Sequence, residues 1–543
     1  MKALSETKIP VRALLLVVAA SCAFLLMLPG VTIVTSYLND LFIFLDGAHR
    51  IASGQVPNRD FHTALGPLSF YIPALGYWAS GTMGGAMPFG MAFTTLFLAL
   101  PVAHVLGTRL RPLIALPYGM FLLLVVAVPV NLGESVSDLS FAMFYNRIGW
   151  AALGVLLAMY LQPARRNAWQ VTLDAACATA LTLLMLYTKI TYGVVALAIL
   201  AFLLLVPRQR LWAALSFGLI LVCGLVIEGF WQASLSHFED LRLTSQVSGS
   251  RSFMDLMAAL RQNVFEYAVL AIVANLVLWR TRTLLDLAFF GLCALPGLLI
   301  QSQNAQPWGI LTVHAGVVVG TAMLLRIEGE HFPQALKTSP SSAAAVLLSA
   351  VLVIPTTVHC FIALSLHTAW GMAREGQALE LPRFGEIRLI SPWLSGKRTL
   401  MHTYIESIED GARSLESLTI KPEKVSVLDF ANPFSAGFAL PPSNGDSAWL
   451  HWGRNVSATH FIPPKQLFAD VQVLMVPKWG INPAPLLDLY GSFLEEAFEP
   501  LQETEGWIVL GRRSQDGATE ASLSKASGPS SVLGRHLEPV SPQ

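Results

Sequence analysis

Charged residues are scarce in this 543-residue chain, and their scarcity excludes an ordinary soluble protein. Asp, Glu, Lys and Arg make up 13% of the residues and hydrophobic residues 54%, whereas soluble domains carry about 25% charged residues. The 35 basic and 35 acidic side chains cancel, so no overall field attracts nucleic acid and a charged partner must be recognised locally. The composition predicts an integral membrane protein.

Cysteine motifs and the common nucleotide and hydrolase motifs are also missing. The chain has 5 cysteines, all in or beside apolar stretches, and none shows a CxxC or Cys/His spacing, which argues against disulfides and structural zinc. A P-loop, a GxSxG elbow and an HExxH helix are absent as well. Soluble nucleotide-sugar enzymes, serine hydrolases and zinc proteases therefore have little support.

Long apolar runs recur between about residues 11 and 366, and they predict an all-α polytopic membrane domain with about eleven spans, since roughly 20 residues cross a bilayer. The predicted spans are 12–35, 87–107, 113–130, 148–161, 173–188, 190–206, 212–231, 264–279, 284–301, 308–326 and 342–367. The first of them is interpreted as uncleaved, because its apolar run exceeds a signal-peptide core. The short apolar piece 66–80, with Gly66-Pro67 and Pro73 as breaks, is interpreted as re-entrant or interfacial.

Arginine and lysine clusters occupy alternate loops, and such clusters mark the cytoplasmic side. We therefore expect a cytoplasmic N-terminus. The outer face then carries four polar loops and everything after about His367. Those loops are 36–86, 131–147, 232–263 and 302–307. This convergence places the candidate chemistry on the outer face.

The composition changes near Ala373, where charges become frequent and the apolar runs stop. We expect three regions: a transmembrane domain 1–372 with its first outer loop 36–86, a soluble extracytoplasmic α/β domain 373–513, and a disordered tail 514–543 rich in Ser, Gly and Pro. In the α/β domain, periodicity predicts helices at 397–418 and 483–498 and strands at 425–429, 471–476 and 506–512.

The first outer loop carries an ordered motif. It contains Asp40, Phe44, Ala48, Gly54, Pro57, Asp60-Phe61 and Pro67-Leu68-Ser69-Phe70-Tyr71. In order and spacing this resembles the first loop of the GT-C glycosyltransferases, the kin of the protein O-mannosyltransferases and aminoarabinose transferases, and it is similar to an uncharacterised bacterial branch. Many members carry Asp-Glu where this chain has Asp40-Leu41, and Pro-Pro where it has Gly66-Pro67.

The resemblance implies transfer of a sugar from a polyprenyl-phosphate donor to an acceptor hydroxyl of a lipid, glycan or protein. It also implies a location in a bacterial inner membrane, with the outer face towards the periplasm. Asp40 matches the family's catalytic position and is the predicted general base, while Asp is equally a favoured helix N-cap. Some relatives use a divalent cation, so magnesium or manganese is left open, and no other cofactor is implied. Arg59 and Asp60 are candidates for phosphate or substrate, although they can also pair with each other.

Further candidates lie in the other outer loops and on the helix after Asp40. Arg147 and Lys189 are predicted to bind phosphate, because a guanidinium matches phosphate oxygens and Lys189 stands between two apolar runs; snorkelling or interfacial anchoring is the alternative. Residues with candidate roles in holding substrate, sugar or acceptor are Tyr145, Asn146, Asp46, His49, Asp138 and Gln303. Asp46 and His49 are otherwise interpreted as a solvated or interfacial helix face.

Two motifs in the α/β domain combine aromatic and polar residues: Asp429 to Phe434 and Trp449 to Arg454. Aromatic rings stack on sugar faces, so acceptor binding and plain strand-to-turn packing are the two interpretations of these motifs.

Two other functional classes stay open for the whole protein, a transporter or lipid flippase and a non-catalytic membrane scaffold. A transporter predicts polar pairs deep in several spans, whereas the polar groups here gather at one face.

Overall fold

The structure, a computed structural model, describes residues 10–249, 252–303, 308–331, 339–390, 400–419 and 421–513. The predicted tail from residue 514 lies outside these residues. The helices are α1 (Val11–Met27), α2 (Leu38–Ala52), α3 (Leu68–Ser80), α4 (Met83–Arg109), α5 (Pro112–Ala127), α6 (Phe144–Ala158), α7 (Ala168–Thr188), α8 (Ile190–Leu205), α9 (Arg210–Trp231), α10 (Ser234–Ser248), α11 (Phe253–Gln262), α12 (Val264–Thr281), α13 (Leu284–Ser302), α14 (Leu311–His331), α15 (Pro340–Met372), α16 (Leu400–Glu416), α17 (Pro433–Phe438), α18 (Pro464–Leu467) and α19 (Pro483–Ala497).

Seven strands complete the described part of the chain. They are β1 (Thr32–Val34), β2 (Gln377–Ala378), β3 (Ile387–Leu389), β4 (Val425–Val427), β5 (Val473–Pro477), β6 (Phe498–Glu503) and β7 (Trp507–Arg512). The first three form a sheet of order β1-β3-β2, and the other four a sheet of order β4-β5-β7-β6. The chain divides into two compact units. Unit 1 holds residues 10–30, 88–230 and 252–373, and unit 2 holds 31–87, 231–249 and 374–513.

Unit 1 is a helical bundle of a multi-pass membrane protein. Among the described residues, seven helices are long and apolar enough to cross a bilayer (α4, α7, α9, α12, α13, most of α14, and α15), and α1, α5 and α8 are shorter apolar helices. Each of the predicted spans coincides with one helix, although α6, with 15 residues, is shorter than a bilayer requires. The prediction of an all-α polytopic protein with a small C-terminal α/β region is confirmed.

Arginines predicted for cytoplasmic loops meet at one end of the unit 1 bundle. Arg326 donates to the carbonyl of Gln162 at 2.8 Å, and Arg111 donates to the carbonyl of Leu325 at 3.1 Å. Arg166 likewise donates to the carbonyl of Arg208 at 2.8 Å. Interleaved loops therefore share one end of this unit, as the charge pattern requires. The side of the membrane on which that end lies stays a prediction.

The first predicted span, 12–35, extends too far at its C-terminal end. Helix α1 ends at Met27, and Thr32–Val34 forms strand β1, which pairs in parallel with Ile387–Leu389. Pro29 cannot continue the helix and Gly30 takes a positive φ of 63°, after which the β-branched run favours a strand. An apolar run of 24 residues by sequence thus splits into a helix and a buried strand.

Unit 2 joins the first polar loop, α10 and the chain after residue 374. Helix α3 has 13 residues, short of a full span, and the expectation that Pro73 breaks it is wrong, because the helix runs through Pro73. Gly47 of α2 lets the ring of Phe70 of α3 approach so closely that a Cβ there would lie 2.1 Å from the ring. Helix α2 is therefore buried along most of its length, which orients the polar side chains that it carries.

The predicted helices and strands of the α/β region are present with boundary shifts of a few residues. In the second sheet β4 and β5 are parallel, whereas β5, β7 and β6 are antiparallel neighbours. The pattern did not predict β6, because Phe498–Glu503 contains Pro500 and two glutamates. It lies at the sheet edge with an irregularity at Pro500, a position where proline is tolerated in a sheet.

Candidate functional site

Asp40 lies in the first turn of α2, three residues after a strained backbone position. Tyr37 precedes the helix with a φ of 54°, a left-handed conformation that costs a bulky residue roughly 1 kcal/mol or more. The half-buried Asp40 therefore sits at the helix N-terminus, where the unsatisfied backbone N–H groups stabilise a negative charge. It is the third helical residue, and the preceding N-cap position belongs to Tyr37.

The charge of Asp40 acts on Tyr404, a tyrosine of the same unit. Burial raises the pKa of Tyr404, and the charges of Asp429 and Asp40 raise it further. Phe42 of α2 stacks on Phe384 with ring centroids 5.6 Å apart and lies 6.4 Å from the ring of Tyr404. The charges of two carboxylates almost 390 residues apart in sequence thus act on one phenol. Tyr404 was not predicted from the sequence.

Asp46 belongs to a buried ion triad, so its interpretation as a solvated residue is wrong. Arg50 donates through Nε to Asp46 at 2.6 Å and through its two terminal nitrogens to both oxygens of Asp446 at 2.7 and 2.9 Å. Both side chains of the Asp46–Arg50 pair are 1% exposed. The guanidinium also lies 5.1 Å from the ring centroid of Phe61. The triad joins α2 to the loop around Asp446 inside unit 2.

His49 is buried as well, and the interpretation of a solvated face fails for it too. Its Nε2–H donates to the carbonyl of Leu440 at 2.7 Å, and its Nδ1 accepts from Arg383 at 3.1 Å. Arg383 also donates to the hydroxyl of Tyr77 at 2.7 Å. Burial lowers the pKa of His49, which agrees with a neutral ring in this arrangement. Both nitrogens are occupied, so His49 positions Arg383.

Asp60 and Arg59 form an ion pair, which is one of the two roles that the sequence allowed for them. Arg59 lies 3.2 Å from a carboxylate oxygen of Asp60, with the two side chains 43% and 28% exposed. Asp60 also accepts from the backbone N–H of Val56 at 2.7 Å and so closes the turn in which it lies. Asp60 has a structural role here, whereas Arg59 remains accessible to a phosphate.

His62 and Asp240 form a dyad beside a cleft in unit 2. The Nδ1–H of His62 donates to Asp240 at 2.6 Å, and the other carboxylate oxygen accepts from the side chain of Asn58 and the backbone of Thr63. The Nε2 of His62 accepts from the exposed Gln466 at 2.7 Å. Burial opposes a positive charge, but the hydrogen bond and the charge of Asp240 outweigh it and raise the pKa of His62.

The dyad makes unit 2 sensitive to pH. Because the folded-state pKa of His62 is raised, protonation stabilises the fold fully below the unfolded pKa of about 6.5, and this contribution is lost as the pH rises through the folded-state value. Between about pH 6 and pH 9, we expect the thermal unfolding midpoint of the native protein to fall with rising pH more steeply than that of Asp240→Asn. Parallel pH profiles for the two proteins would contradict the dyad's role.

Unit 1 contains a second polar group, at the start of α6. Lys189 donates to the side-chain oxygen of Asn146 at 3.0 Å and lies 5.2 Å from the ring centroid of Tyr145 and 5.9 Å from that of Tyr192. The structure thus brings together three of the residues that the sequence predicts to bind substrate. The next residue on α6 is Arg147, which points about 100° away from Asn146 around the helix.

Arg147 is 1% exposed, and its hydrogen bonds are incomplete. One terminal nitrogen donates to Asn131 at 3.3 Å and to the carbonyl of Ala142 at 3.2 Å. Its Nε and the other terminal nitrogen are buried without an acceptor, and in the described part of the chain no carboxylate lies within ion-pair distance of it. Burying a cation whose N–H groups have no acceptor costs free energy, and an anion that accepts from them offsets that cost.

The remaining candidates lie outside this group. Asp138 accepts from the backbone of Ser135 at 3.1 Å within its own loop, and Gln303 is an exposed C-cap of α13. Among the described residues neither hydrogen-bonds to Arg147 or Lys189. No set of three or more His, Cys, Asp and Glu side chains in that same part of the chain is arranged to hold a metal ion.

Comparison with known proteins finds similarity in structure and none in sequence. No family model matches the sequence, and no curated protein matches it. Among solved structures, the fold is similar to ArnT from Cupriavidus metallidurans in the apo state, with a TM-score of 0.46 and 13% identity over 92% of this chain and 97% of that chain. It is equally similar to ArnT from the same organism bound to undecaprenyl phosphate, with a TM-score of 0.46 and 13% identity over 93% and 98% of the two chains. At this distance the likeness by itself assigns neither activity nor substrate to the chain.

Proposed function

We propose that the protein is a membrane glycosyltransferase that moves a sugar from a polyprenyl-phosphate donor to an acceptor hydroxyl on the outer face of the bacterial inner membrane. The first-loop motif around Asp40 and the multi-pass bundle support this class. The observation that carries the proposal is the buried Arg147, two of whose nitrogens have no acceptor among the described residues. The phosphate of a lipid-linked sugar would supply both acceptor oxygens and a negative charge to such a guanidinium.

Arg147 and Lys189 are proposed to bind the donor phosphate and to stabilise the charge that develops on it. When the acceptor oxygen bonds to the anomeric carbon, the bond from that carbon to the phosphate oxygen breaks, and its electron pair leaves with the polyprenyl phosphate. Preformed donors aimed at such a charge lower the barrier, because they need no reorganisation during the reaction. Arg147 contributes the N–H groups of two nitrogens that find no acceptor among the described residues.

Asp40 is proposed to accept the proton of the acceptor hydroxyl as that oxygen attacks. A carboxylate can act in this way when it lies within hydrogen-bond reach of the hydroxyl. It lies in the first turn of α2, where the backbone N–H groups of the helix N-terminus favour a negative charge.

Replacing Arg147 by Met separates the binding role from a structural one. We expect the affinity for polyprenyl phosphate to fall by about 10- to 150-fold, since hydrogen bonds to charged groups contribute about 1.5–3 kcal/mol each. The thermal unfolding midpoint should stay unchanged or rise, because the replaced guanidinium has unpaired buried N–H groups. Both quantities can be measured on the protein in lipid nanodiscs.

Arg280 offers a matched control in the same unit. It forms a partly exposed pair with Glu328 at 3.2 Å, so Arg280→Met should change the lipid affinity by less than about twofold. Unchanged lipid affinity together with a clear loss of stability in Arg147→Met would show that Arg147 is a structural ion, and would remove the main support for the proposed function.

A further inference from the structure

Three aromatic side chains of unit 2 form a cluster that is separate from the core of the second sheet. The ring centroids of Phe430 and Trp449 are 5.7 Å apart, those of Phe430 and His451 5.4 Å, and those of Trp449 and His451 6.2 Å, with the rings nearly perpendicular in each pair. All three side chains are partly exposed. The buried core around Leu474 and Tyr490 does not include them.

Two polar atoms of this cluster are buried without a hydrogen-bond partner among the residues that the structure describes. They are Nε1 of Trp449 and Nδ1 of His451. A buried donor or acceptor normally finds a partner, and one without a protein partner calls for a ligand or a water. Burial lowers the pKa of His451, and the nearby Arg454 lowers it further. The imidazole is therefore neutral, and with the indole N–H it offers two atoms that suit hydroxyl groups.

Asp429 adds a carboxylate to the segment that carries Phe430. It directly precedes Phe430, and one of its oxygens accepts from the side chain of Asn482 at 2.9 Å. Asn482 is itself fixed, because its oxygen accepts from the backbone of Trp452 at 3.0 Å. The charge of Asp429, like that of the proposed base Asp40, acts on Tyr404 of the same unit.

The loop that carries two of the rings is held in shape by Asn455. Its side-chain oxygen accepts from the backbone of His451 at 2.7 Å, and its amide donates to the carbonyl of Trp449 at 2.8 Å. Gly453, with a φ of 77°, allows the turn between them. A binding surface fixed before the ligand arrives loses little conformational entropy on binding.

We infer that Phe430, Trp449, His451 and Asp429 form a binding subsite for a sugar ring of the acceptor, so that the acceptor of the proposed reaction is a carbohydrate. The inference rests on the proposed function. Apolar C–H faces of a pyranose fit against aromatic rings, while its hydroxyls donate to the carboxylate and pair with the indole and imidazole nitrogens.

A cationic ligand fits these observations less well. Aromatic rings beside a carboxylate can also hold a quaternary ammonium group. Such a ligand has no acceptor for the free indole N–H of Trp449, and Arg454, whose charge reaches His451, would repel it. The observations therefore favour a neutral ligand that carries hydroxyl groups.

Binding of simple glycosides without any donor tests the subsite. The probes are the methyl α-pyranosides of glucose, galactose and mannose, with choline as the cationic comparison. Saturation-transfer NMR on the full chain in nanodiscs gives the affinity for each probe. Trp449→Phe keeps a ring but removes the N–H, Asp429→Asn keeps the shape but removes the charge, and Trp449→Leu removes the ring. Trp78→Leu removes another tryptophan of the same unit, one that is 56% exposed and lies outside the cluster, and it serves as the control.

We expect at least one glycoside to bind the native protein and the Trp78→Leu control equally. Binding should weaken by about threefold or more in Trp449→Phe and by about tenfold or more in Asp429→Asn, and it should be lost in Trp449→Leu. The inference is overturned when no glycoside binds, when the first two variants bind like the native protein, or when choline binds in place of the glycosides. Because no donor is present, a failure here leaves the release of polyprenyl phosphate untouched, and the two proposals can fail independently.

Discussion

Replacing Asp40 by Asn is expected to lower the rate of sugar transfer by about 10²- to 10⁴-fold, the usual contribution of a positioned general base. Asparagine has nearly the same shape but cannot accept the proton of the acceptor hydroxyl. Affinity for the donor should stay within about twofold, because the proposed phosphate ligands are Arg147 and Lys189 and are not altered. The measurement is release of free polyprenyl phosphate from a lipid-linked sugar in the presence of an acceptor.

Asp138→Asn is the matched control for this result. Asp138 is another acid in a predicted outer loop, but its carboxylate accepts from the backbone of Ser135 within its own loop. We expect the rate for this variant to stay within about threefold of the native rate. Equal rates for native protein and Asp40→Asn, with both variants folded, would remove Asp40 as the base.

Replacing Arg50 by Met is expected to destabilise unit 2 by about 3–5 kcal/mol, the typical cost of breaking a buried ion pair. The change leaves the carboxylates of Asp46 and Asp446 buried without their shared cation. Arg59→Gln is the control, because Arg59 belongs to the same loop but pairs with Asp60 at the surface, where a pair contributes about 0–1 kcal/mol. Urea unfolding of both variants gives the comparison, and equal losses would contradict the triad's role.

The Arg50→Met variant should also recover stability at low pH. Burial raises the pKa of Asp446 to about 6 even though Arg50 lowers it, and removing Arg50 raises it further. A carboxyl with a raised folded-state pKa stabilises the fold below its unfolded value, and that contribution is lost as the pH rises through the folded value. The deficit of the variant should therefore be smaller at pH 5 than at pH 8. A deficit that is the same at both pH values would show that no buried carboxylate is left uncompensated.

Local signals predicted most of the helices, because apolar runs and flanking arginines act within one segment of the chain. The same signals failed where partners are distant in sequence. Residues 32–34 look like the end of a span, and only pairing with Ile387–Leu389 makes them a strand. Asp46 and His49 look like a solvated face, because their partners Asp446 and Leu440 lie some 400 residues further on.

The candidate sites show the same limit. Tyr145, Asn146 and Arg147 are neighbours in sequence, and Lys189 stands out as a cation between apolar runs, so the group on α6 could be predicted. Tyr404 carries no local motif, and Asp429 was recognised only as part of an aromatic-rich segment. The effect of the Asp429 and Asp40 charges on Tyr404 depends on how unit 2 folds. Long-range contacts of this kind leave no periodic trace in the sequence.

The most direct test asks whether the protein converts a lipid-linked sugar or only moves it. Purified protein in proteoliposomes is supplied with polyprenyl-phosphate sugars and a glycan acceptor, and mass spectrometry follows the donor, the free polyprenyl phosphate and the acceptor. The proposed function predicts free polyprenyl phosphate and an acceptor heavier by one sugar residue in equal amounts. Intact donor that appears on the opposite leaflet, with no glycosylated acceptor, would contradict the transferase and identify a lipid transporter.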